Sequence, residues 1–385
     1  MLVRINPNRL KDTFIHLASI ESPSRKEGKI AHEVSRIFSQ LDAQVSQDAS
    51  TDQTGSEVGN LIIRVSGTKK AEPVFFNAHL DTVMPCSGIK VLFRDGVFRS
   101  DGKTILGADD KAAVAILIEV IQVLRDHGIE HGPVELVLTV CEEIGLLGAK
   151  AFDPENIRAR CGYALDSIDP EVLIHQAPCA TRFNVTVKGR AAHAGINPEE
   201  GINAILVASQ ALANLPSGRI DPDTTANIGI IKGGKATNIV PDEVEIQGEV
   251  RSHQEERLRQ VQDQILSAFH KVAMKHRPRD PITKGCELLP LVQTQVYDDY
   301  PLMSVSAEHP VVTKALSAAK ELGRQLRLER TGGGSDANVF NGKGLATVIM
   351  GIGMQKVHTT EEFIRLDDMV RTAELVLAII RTWAQ

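Results

Sequence analysis

The sequence has few aromatic residues and no excess of positive charge. Aromatics make up 4% of the 385 residues, and 43 Lys and Arg stand against 49 Asp and Glu, which gives a formal net charge of −6. A nucleic-acid-binding protein usually carries a basic face and aromatic side chains on which bases stack. The composition therefore argues against a nucleic-acid partner. The hydrophobic share of 42% is ordinary for a globular protein of about two domains.

The sequence indicates neither a disulfide framework nor a membrane span. Its five cysteines are an odd number, and none is spaced C-x-x-C, so we expect a reducing compartment. The most apolar stretch, 112–124, is interrupted by Glu119 and Gln122 and is shorter than the roughly 20 residues that cross a bilayer. The first residues, MLVRINPNRLKDT, lack the apolar core of a signal peptide. We predict a cytoplasmic protein with no membrane partner.

Short apolar runs alternate with a helical pattern in the first half of the chain. The runs that predict strands are 60–65, 74–78, 134–140 and 163–165. The run 134–140 is apolar on both alternating faces, as in a strand that is covered on both sides of a parallel sheet. Residues 111–124 repeat apolar side chains at helical spacing, and Gly128 ends that pattern. This order of elements predicts a doubly wound α/β sheet.

The pattern changes near residue 180 and changes back near residue 300. Two runs that alternate polar and apolar residues predict strands with one solvated face. One helical run lies between these two strands, and a second helical run follows the later strand. These segments are 181–187, 202–215, 243–250 and 253–275. The α/β pattern returns with helices at 311–322 and 366–383 and a strand at 345–350, and Asp367 or Asp368 lies near the N-cap of the last helix. We predict a domain of residues 1–177 and 299–385 that carries an inserted α+β domain at 178–298.

Polar residues follow the predicted strands at their carboxyl ends, where ligands of open α/β sheets bind. They are His79 and Asp81, Asp109 and Asp110, Glu142 and Glu143, Asp166, and His358. Each one alone also fits a hydrogen-bonded pair, a helix N-cap or a solvated loop. Their recurrence at successive strand ends favours a metal site, because imidazoles and carboxylates together accept Zn²⁺, Co²⁺ or Mn²⁺. Two such ions can share a bridging carboxylate.

Two pairs within this set indicate a division of roles. His79 and Asp81 point the same way on a strand, so the Asp81 carboxylate can hydrogen-bond and orient the imidazole. Glu142 and Glu143 are adjacent, and one carboxylate can bind metal while the other acts as a general base.

Eight segments resemble the dinuclear zinc family of aminoacylases, carboxypeptidases, desuccinylases and peptidase T. They are FFNAHLDTVMP, LGADDKAAVA, VCEEIGLLGAKAF, YALDS, GRAAHAG, TNIVPDEVEIQGEVR, GGGSDANVF and VHTTEEF. The resemblance runs over residues 1–385 and is strongest to the peptidase T-like branch. It implies a zinc-hydrolase catalytic domain with an inserted lid or dimerisation domain, and a homodimer.

The resemblance also implies two Zn²⁺ ions per subunit, or Co²⁺ or Mn²⁺ in their place. Their implied protein ligands are His79 and Asp166 for one ion, Glu143 and His358 for the other, and Asp109 as the bridge. Glu142 would be the general base and Asp81 the residue that orients His79. The family tends to have a cis peptide bond between the residues that match Asp109 and Asp110.

Further residues are implied to contact the substrate. His193 would reach the partner's active site and stabilise the oxyanion, Asn238 would contact substrate, and Arg251 would bind its carboxylate, for which a planar guanidinium is suited. Without the resemblance, His193 also fits a turn histidine and Arg251 a surface charge. Gly333, Gly334 and Ser335 would line the substrate site, where main-chain N–H groups can hold a carboxylate or carbonyl.

The predicted function is a metal-dependent exopeptidase that hydrolyses the N-terminal bond of short peptides, tripeptides above all, through a dinuclear zinc site with a bridging hydroxide. An N-acyl amino acid amidohydrolase or a carboxypeptidase of the same family is the alternative, and a non-catalytic metal-binding regulator is an alternative of another class. Peptidase T proper has Thr-Asp where this chain has Ser335-Asp336, and a Tyr/His-rich segment where this chain has GMQKVHTTEEF. These differences concern substrate recognition.

Overall fold

A computed structural model describes residues 5–277 and 289–385, which divide into two compact units. Unit 1 comprises Met1–Ala177 and Met303–Gln385, and unit 2 comprises Pro178–Leu302. The first four residues and Cys286 lie outside the described residues. The second boundary falls four residues later than the expected 298, because the last strand of unit 2 continues to Tyr300.

Unit 1 is built from helices and strands on both sides of the insertion. Before it come α1 (Pro7–Ala18), α2 (Gly28–Gln40), β1 (Gln44–Gln47), α3 (Thr51–Thr54), β2 (Leu61–Val65), β3 (Val74–His79), β4 (Leu92–Arg94), β5 (Val97–Arg99), α4 (Ala108–Asp126), β6 (Val134–Thr139), α5 (Leu147–Ala151), β7 (Cys161–Ser167) and β8 (Val172–Ala177).

Unit 2 follows without interruption, and the chain then returns to unit 1. Unit 2 contains β9 (Cys179–Lys188), α6 (Ala204–Leu212), β10 (Gly218–Asp221), β11 (Thr224–Gly233), β12 (Glu243–Ser252), α7 (Glu255–Lys275) and β13 (Leu291–Tyr300). The return to unit 1 adds β14 (Met303–Ser304), α8 (Pro310–Glu321), β15 (Arg327–Arg330), α9 (Asp336–Gly342), β16 (Ala346–Gly351), β17 (Phe363–Arg365) and α10 (Leu366–Trp383).

The central sheet of unit 1 is mixed, with a parallel middle. Its strand order is β1-β2-β6-β3-β7-β16-β8-β14, and β15 pairs with β8. Strand β3 is parallel to both β6 and β7, and β16 is parallel to β7. The carboxyl ends of these four strands therefore meet at one edge of the sheet. This sheet confirms the predicted α/β class.

Helix α4 is buried along nearly its whole length, because it packs against α1, α10 and β3 at once. Its small residues Ala112, Ala113 and Ala115 have no exposed surface, so neighbouring elements approach it closely. Helix α10 begins at Leu366 with Arg365 as its N-cap. Asp367 and Asp368 lie in its first turn, where their negative charge is favourable, and neither is the cap.

Unit 2 has a core of its own between one sheet and two helices. The antiparallel sheet has the order β10-β11-β12-β9-β13, and α6 and α7 cover one of its faces. Phe183 and Phe269 are fully buried between sheet and helices. On the other face, the two strands whose alternating pattern predicted a solvated side, β9 and β12, carry polar side chains that are exposed or half-buried.

The described residues contain neither a disulfide bond nor a helix that could span a membrane. Cys86, Cys141, Cys161 and Cys179 are free. In the two described ranges, no helix combines the length and apolarity that crossing a bilayer requires.

Candidate active site

His79 ends strand β3 and is buried. Its Nδ1 lies 3.0 Å from the main-chain oxygen of Asp81. Because a carbonyl oxygen can only accept, Nδ1 carries a hydrogen and Nε2 is the atom left to bind a ligand. The expected contact with the Asp81 carboxylate is longer, at 3.5 Å. Residue 81 therefore orients the imidazole chiefly through its main chain.

Asp109 lies between two imidazoles. Its Oδ1 is 3.0 Å from Nε2 of His79, and its Oδ2 is 3.3 Å from Nε2 of His358. The main chain at Asp109 departs from helical geometry, and the Asp109–Asp110 peptide bond is cis. Burial raises the pKa of the Asp109 carboxyl, but hydrogen bonds with His358 and His79 outweigh it and hold that pKa below its ordinary value.

Glu143 and His358 form the second half of the cluster. Nε2 of His358 lies 3.0 Å from Oε2 of Glu143. Hydrogen bonds from His358 to Asp109 and Glu143 raise the pKa of this imidazole to about 10. Among the described residues, His79, Asp109 and Glu143 each offer one ligand atom within 4.8 Å of the others. Segments far apart in sequence thus meet at the predicted edge of the sheet.

Glu142 and Asp166 flank this cluster and are partly exposed. Asp166 lies near the end of β7, the strand beside β3. Burial is the main cause that raises the pKa of both carboxyls well above the ordinary value. Nearby negative charges add to the rise, that of Asp166 at Glu142 and that of Asp109 at Asp166. Asp166 is not one of the three residues within 4.8 Å, so its role as a ligand remains a prediction.

The Asp81 carboxylate holds the turn that carries the two glutamates. Its Oδ1 accepts from the main-chain N–H of Glu142 at 2.9 Å, and its Oδ2 accepts from that of Glu143 at 3.2 Å. The hydroxyl of Ser24 donates to Oδ2 at 2.6 Å. Asp81 has no exposed surface. Its carboxylate therefore fixes the main chain of Glu142 and Glu143, a contact that the alternation argument did not anticipate.

Two more buried carboxylates support the site and were not singled out from the sequence. Oε1 of Glu27 accepts from the main-chain N–H of Cys141 at 3.0 Å, directly before Glu142. Glu362 accepts from three N–H groups of the segment that leads into Asp109. Glu27 belongs to the charged run SRKEGK, which is typical of a solvated loop. Glu362 belongs to the segment VHTTEEF, and its position shortly after His358 was the sequence feature that could have indicated a role at the site.

Asp336 lies beneath the strand ends. Its Oδ2 accepts from the hydroxyl of Thr139 and from Nδ2 of Asn77, the latter at 3.4 Å. Burial raises the pKa of Asp336 to about 6. Polar Asn77 and Thr139 within otherwise apolar strands were the sequence signal for such a partner.

The glycine segment before α9 is already hydrogen-bonded within itself. The N–H of Gly333 donates to Oγ1 of Thr331 at 3.2 Å, and the N–H of Ser335 donates to Oδ1 of Asn338 at 3.1 Å. The Ser335 side chain caps α9 by accepting from the N–H of Ala337. These two N–H groups therefore already have acceptors within the segment, and the role of Gly333, Gly334 and Ser335 in lining the substrate site stays a prediction.

The three residues expected to contact substrate from the insertion lie in unit 2. His193 and Asn238 are exposed neighbours, since the N–H of Ala194 donates to the Asn238 oxygen at 3.0 Å. Arg251 lies near the C-terminal end of β12. Its guanidinium binds both oxygens of Glu249, at 2.9 and 3.0 Å. A substrate carboxylate would have to compete with Glu249 for this bidentate fork.

Comparison with known proteins defines the class. Residues 60–187 match the model of Peptidase family M28, and residues 179–277 match the Peptidase dimerisation domain. Across 98% of this chain and 99% of the other, the fold is also that of a dinuclear metal binding peptidase of the M20 family from Bacillus subtilis, with a TM-score of 0.70 at 18% identity. The chain therefore has the two-domain fold of this metal-binding peptidase.

Two solved structures identify the branch. The aminopeptidase PepT of Bacillus cereus is 40% identical, with 99% of this chain and 100% of that chain covered and a TM-score of 0.90. A tripeptidase of Staphylococcus aureus is 35% identical, with 99% of both chains covered and a TM-score of 0.92. The chain therefore belongs to the PepT peptidase family, which confirms the peptidase T-like resemblance.

Proposed function

We propose that this protein is a metal-dependent aminopeptidase that releases the N-terminal residue of tripeptides. The observation that carries the proposal is the convergence of His79, Asp109, Glu143 and His358 at one sheet edge, in a chain 40% identical to an aminopeptidase PepT.

The donor set fits two divalent cations. The two oxygens of Asp109 face different imidazoles, as a bridging carboxylate requires. Nε2 of His79 points into the cluster because Nδ1 is engaged by a carbonyl. We assign His79 and Asp166 to one ion and Glu143 and His358 to the other. Imidazole with carboxylate favours Zn²⁺, and Co²⁺ or Mn²⁺ can replace it.

The protein groups divide the chemical work around the cations. When bound, the ions would polarise the scissile carbonyl and lower the pKa of water towards neutrality. Glu142 takes the proton of the attacking water and passes it to the leaving amine. Its raised pKa, caused mainly by burial, suits a group that must both accept and donate. Asp81 keeps Glu142 in place through the main chain.

Unit 2 would supply substrate contacts, and two copies of the chain would form a homodimer. The match of residues 179–277 to a dimerisation domain supports that assembly. His193 would stabilise the oxyanion in the partner's site, Asn238 would contact the peptide, and Arg251 would bind its carboxylate in place of Glu249. A short peptide with a free carboxylate is the substrate that this set suits. A cytoplasmic location remains part of the proposal.

A peptide panel tests the activity. The purified protein is stripped with a chelator and reloaded with Zn²⁺, Co²⁺ or Mn²⁺, and cleavage of di-, tri- and tetrapeptides with free or acetylated N-termini and of N-acyl amino acids is followed by mass. We expect metal-dependent release of the first residue from free tripeptides. Cleavage of the acylated compounds alone would indicate the amidohydrolase or carboxypeptidase alternative, and no cleavage with any metal would indicate a non-catalytic metal-binding protein.

A further inference from the structure

Glu362 is a buried carboxylate with an unusual number of main-chain partners. It is 2% exposed. Its Oε2 accepts from the N–H of Leu106 at 2.7 Å and of Gly107 at 2.8 Å, and its Oε1 accepts from the N–H of Asp109 at 3.0 Å. Hydrogen bonds to an ionised acceptor are roughly twice as strong as neutral ones. Three of them therefore hold the segment 106–109 firmly.

These bonds connect two segments that each carry a proposed ligand. Asp109 lies in the segment that is held, and His358 lies four residues before Glu362. The Asp109 carboxylate has to face His79 with one oxygen and His358 with the other, at 3.0 and 3.3 Å. A small rotation of its main chain would break that double contact.

We propose that Glu362 is a positioning residue that fixes the Asp109 carboxylate between the two imidazoles and so sets the affinity for the divalent cations. The inference rests on the proposed function, because it concerns the same ligands. Glu362 itself touches no reacting atom. It acts through the main chain of residues 106–109.

The isosteric variant Glu362→Gln separates this role from simple packing. Glutamine has the same shape but presents an amide NH₂ where one carboxylate oxygen accepts, so a donor would face at least one of the three N–H groups. The matched control is Glu361→Gln. Glu361 is adjacent, exposed and paired with Lys356 at the surface.

The readout is metal binding by the chelator-stripped full-length protein. Binding of Zn²⁺ is measured by calorimetry, geometry by the visible absorption of bound Co²⁺, and folding by thermal unfolding of the stripped protein. We expect wild type and Glu361→Gln to bind two ions alike. Glu362→Gln should bind at least one ion ten- to a hundred-fold more weakly, which is the usual effect of removing an outer-shell partner, with an altered Co²⁺ spectrum.

Glu362→Asp keeps the charge but is one methylene too short to reach all three N–H groups, and it guards against a failure of the glutamine variant to fold. It should show a weaker form of the same loss. Wild-type affinity and an unchanged Co²⁺ spectrum in folded Glu362→Gln or Glu362→Asp would overturn the inference while leaving the proposed function standing. A wild-type protein that binds neither Zn²⁺ nor Co²⁺ would overturn the proposed function and this inference with it.

Discussion

Glu142 and Glu143 are neighbours in the chain with different surroundings. Glu143 contacts His358 at 3.0 Å. The pKa of the Glu142 carboxyl, in contrast, is raised mainly by burial, and the nearby charge of His79 acts in the opposite direction. Asp81 holds both main chains, so the difference arises in the side chains alone. Two adjacent carboxylates can therefore serve as a ligand and as a base.

Glu142→Gln should lower kcat by about 10²–10⁴-fold, because glutamine keeps the shape of the side chain but cannot carry the proton. Metal content should stay at the wild-type level. In Glu143→Gln, by contrast, the main expected effect is a loss of metal affinity, because this residue is a proposed ligand. Tripeptide turnover and metal stoichiometry of the two variants are compared side by side. A Glu142→Gln enzyme with kcat within tenfold of wild type would remove this residue from the base role.

The sequence predicts the side chains at strand ends better than it predicts the buried carboxylates that hold those segments in place. His79, Asp109, Glu143 and His358 follow from residue type and the position of strands. Glu27 and Glu362 do not, because their partners are main-chain N–H groups, which look alike in every residue and come together only in the folded chain. For the same reason the contact of His79 with the carbonyl of Asp81 was not anticipated.

At the scale of elements, Glu119 explains how a charge fits inside helix α4. It interrupts the most apolar stretch of the sequence and is 1% exposed. Nε and Nη2 of Arg9 on α1 bind its two oxygens at 2.5 and 2.9 Å, and the N–H of Asn6 donates to it at 2.8 Å. Glu119 thus joins the start of α1 to the middle of α4.

Arg9→Met should lower the free energy of unfolding by about 1–3 kcal/mol, because it leaves the buried Glu119 carboxylate without its charged partner. The expected loss is modest for a buried ion pair, because the Arg9 side chain is 34% exposed and water screens its charge. Adding Glu119→Leu should recover most of the loss, as apolar replacements of buried pairs often do.

Urea unfolding of both single variants and the double variant gives the coupling between the two residues. Arg36→Met is the control, since the Arg36–Glu33 pair lies on the surface of α2, and it should change stability little. Strict additivity of the Arg9 and Glu119 substitutions would contradict the assigned contact.

Elements with strong periodicity were predicted almost to their ends. Helix α4 and strands β3 and β6 are buried on all sides, so their apolar pattern is long and regular. Strands β4 and β5 have three residues each and lie largely at the surface. Their sequences show no alternation of apolar and polar residues, because few of their side chains are buried.

At the scale of the molecule, the match of unit 2 to a dimerisation domain leads to a test of shared sites. Glu142→Ala and His193→Ala are each expected to be inactive. If two chains exchange and each site takes His193 from the partner, half of the dimers are mixed and each has one intact site. Mixing equal amounts should restore about a quarter of wild-type turnover. Turnover that stays at the level of the separate variants after subunit exchange would place His193 and Glu142 in the same chain's site.

The insertion also sets the order in which a growing chain can fold. Strand β16, which lies between β7 and β8 in the central sheet, is made only after the whole of unit 2 has been synthesised. Domains fold as units during synthesis, at about 5–20 residues per second. Unit 2 is continuous in sequence and has its own core, so it can fold at the ribosome several seconds before unit 1 closes. Until the segment with His358 and Glu362 emerges, the nascent protein is a folded insertion on an open sheet, and it lacks one of its five proposed metal ligands, His358, together with the residue that positions Asp109.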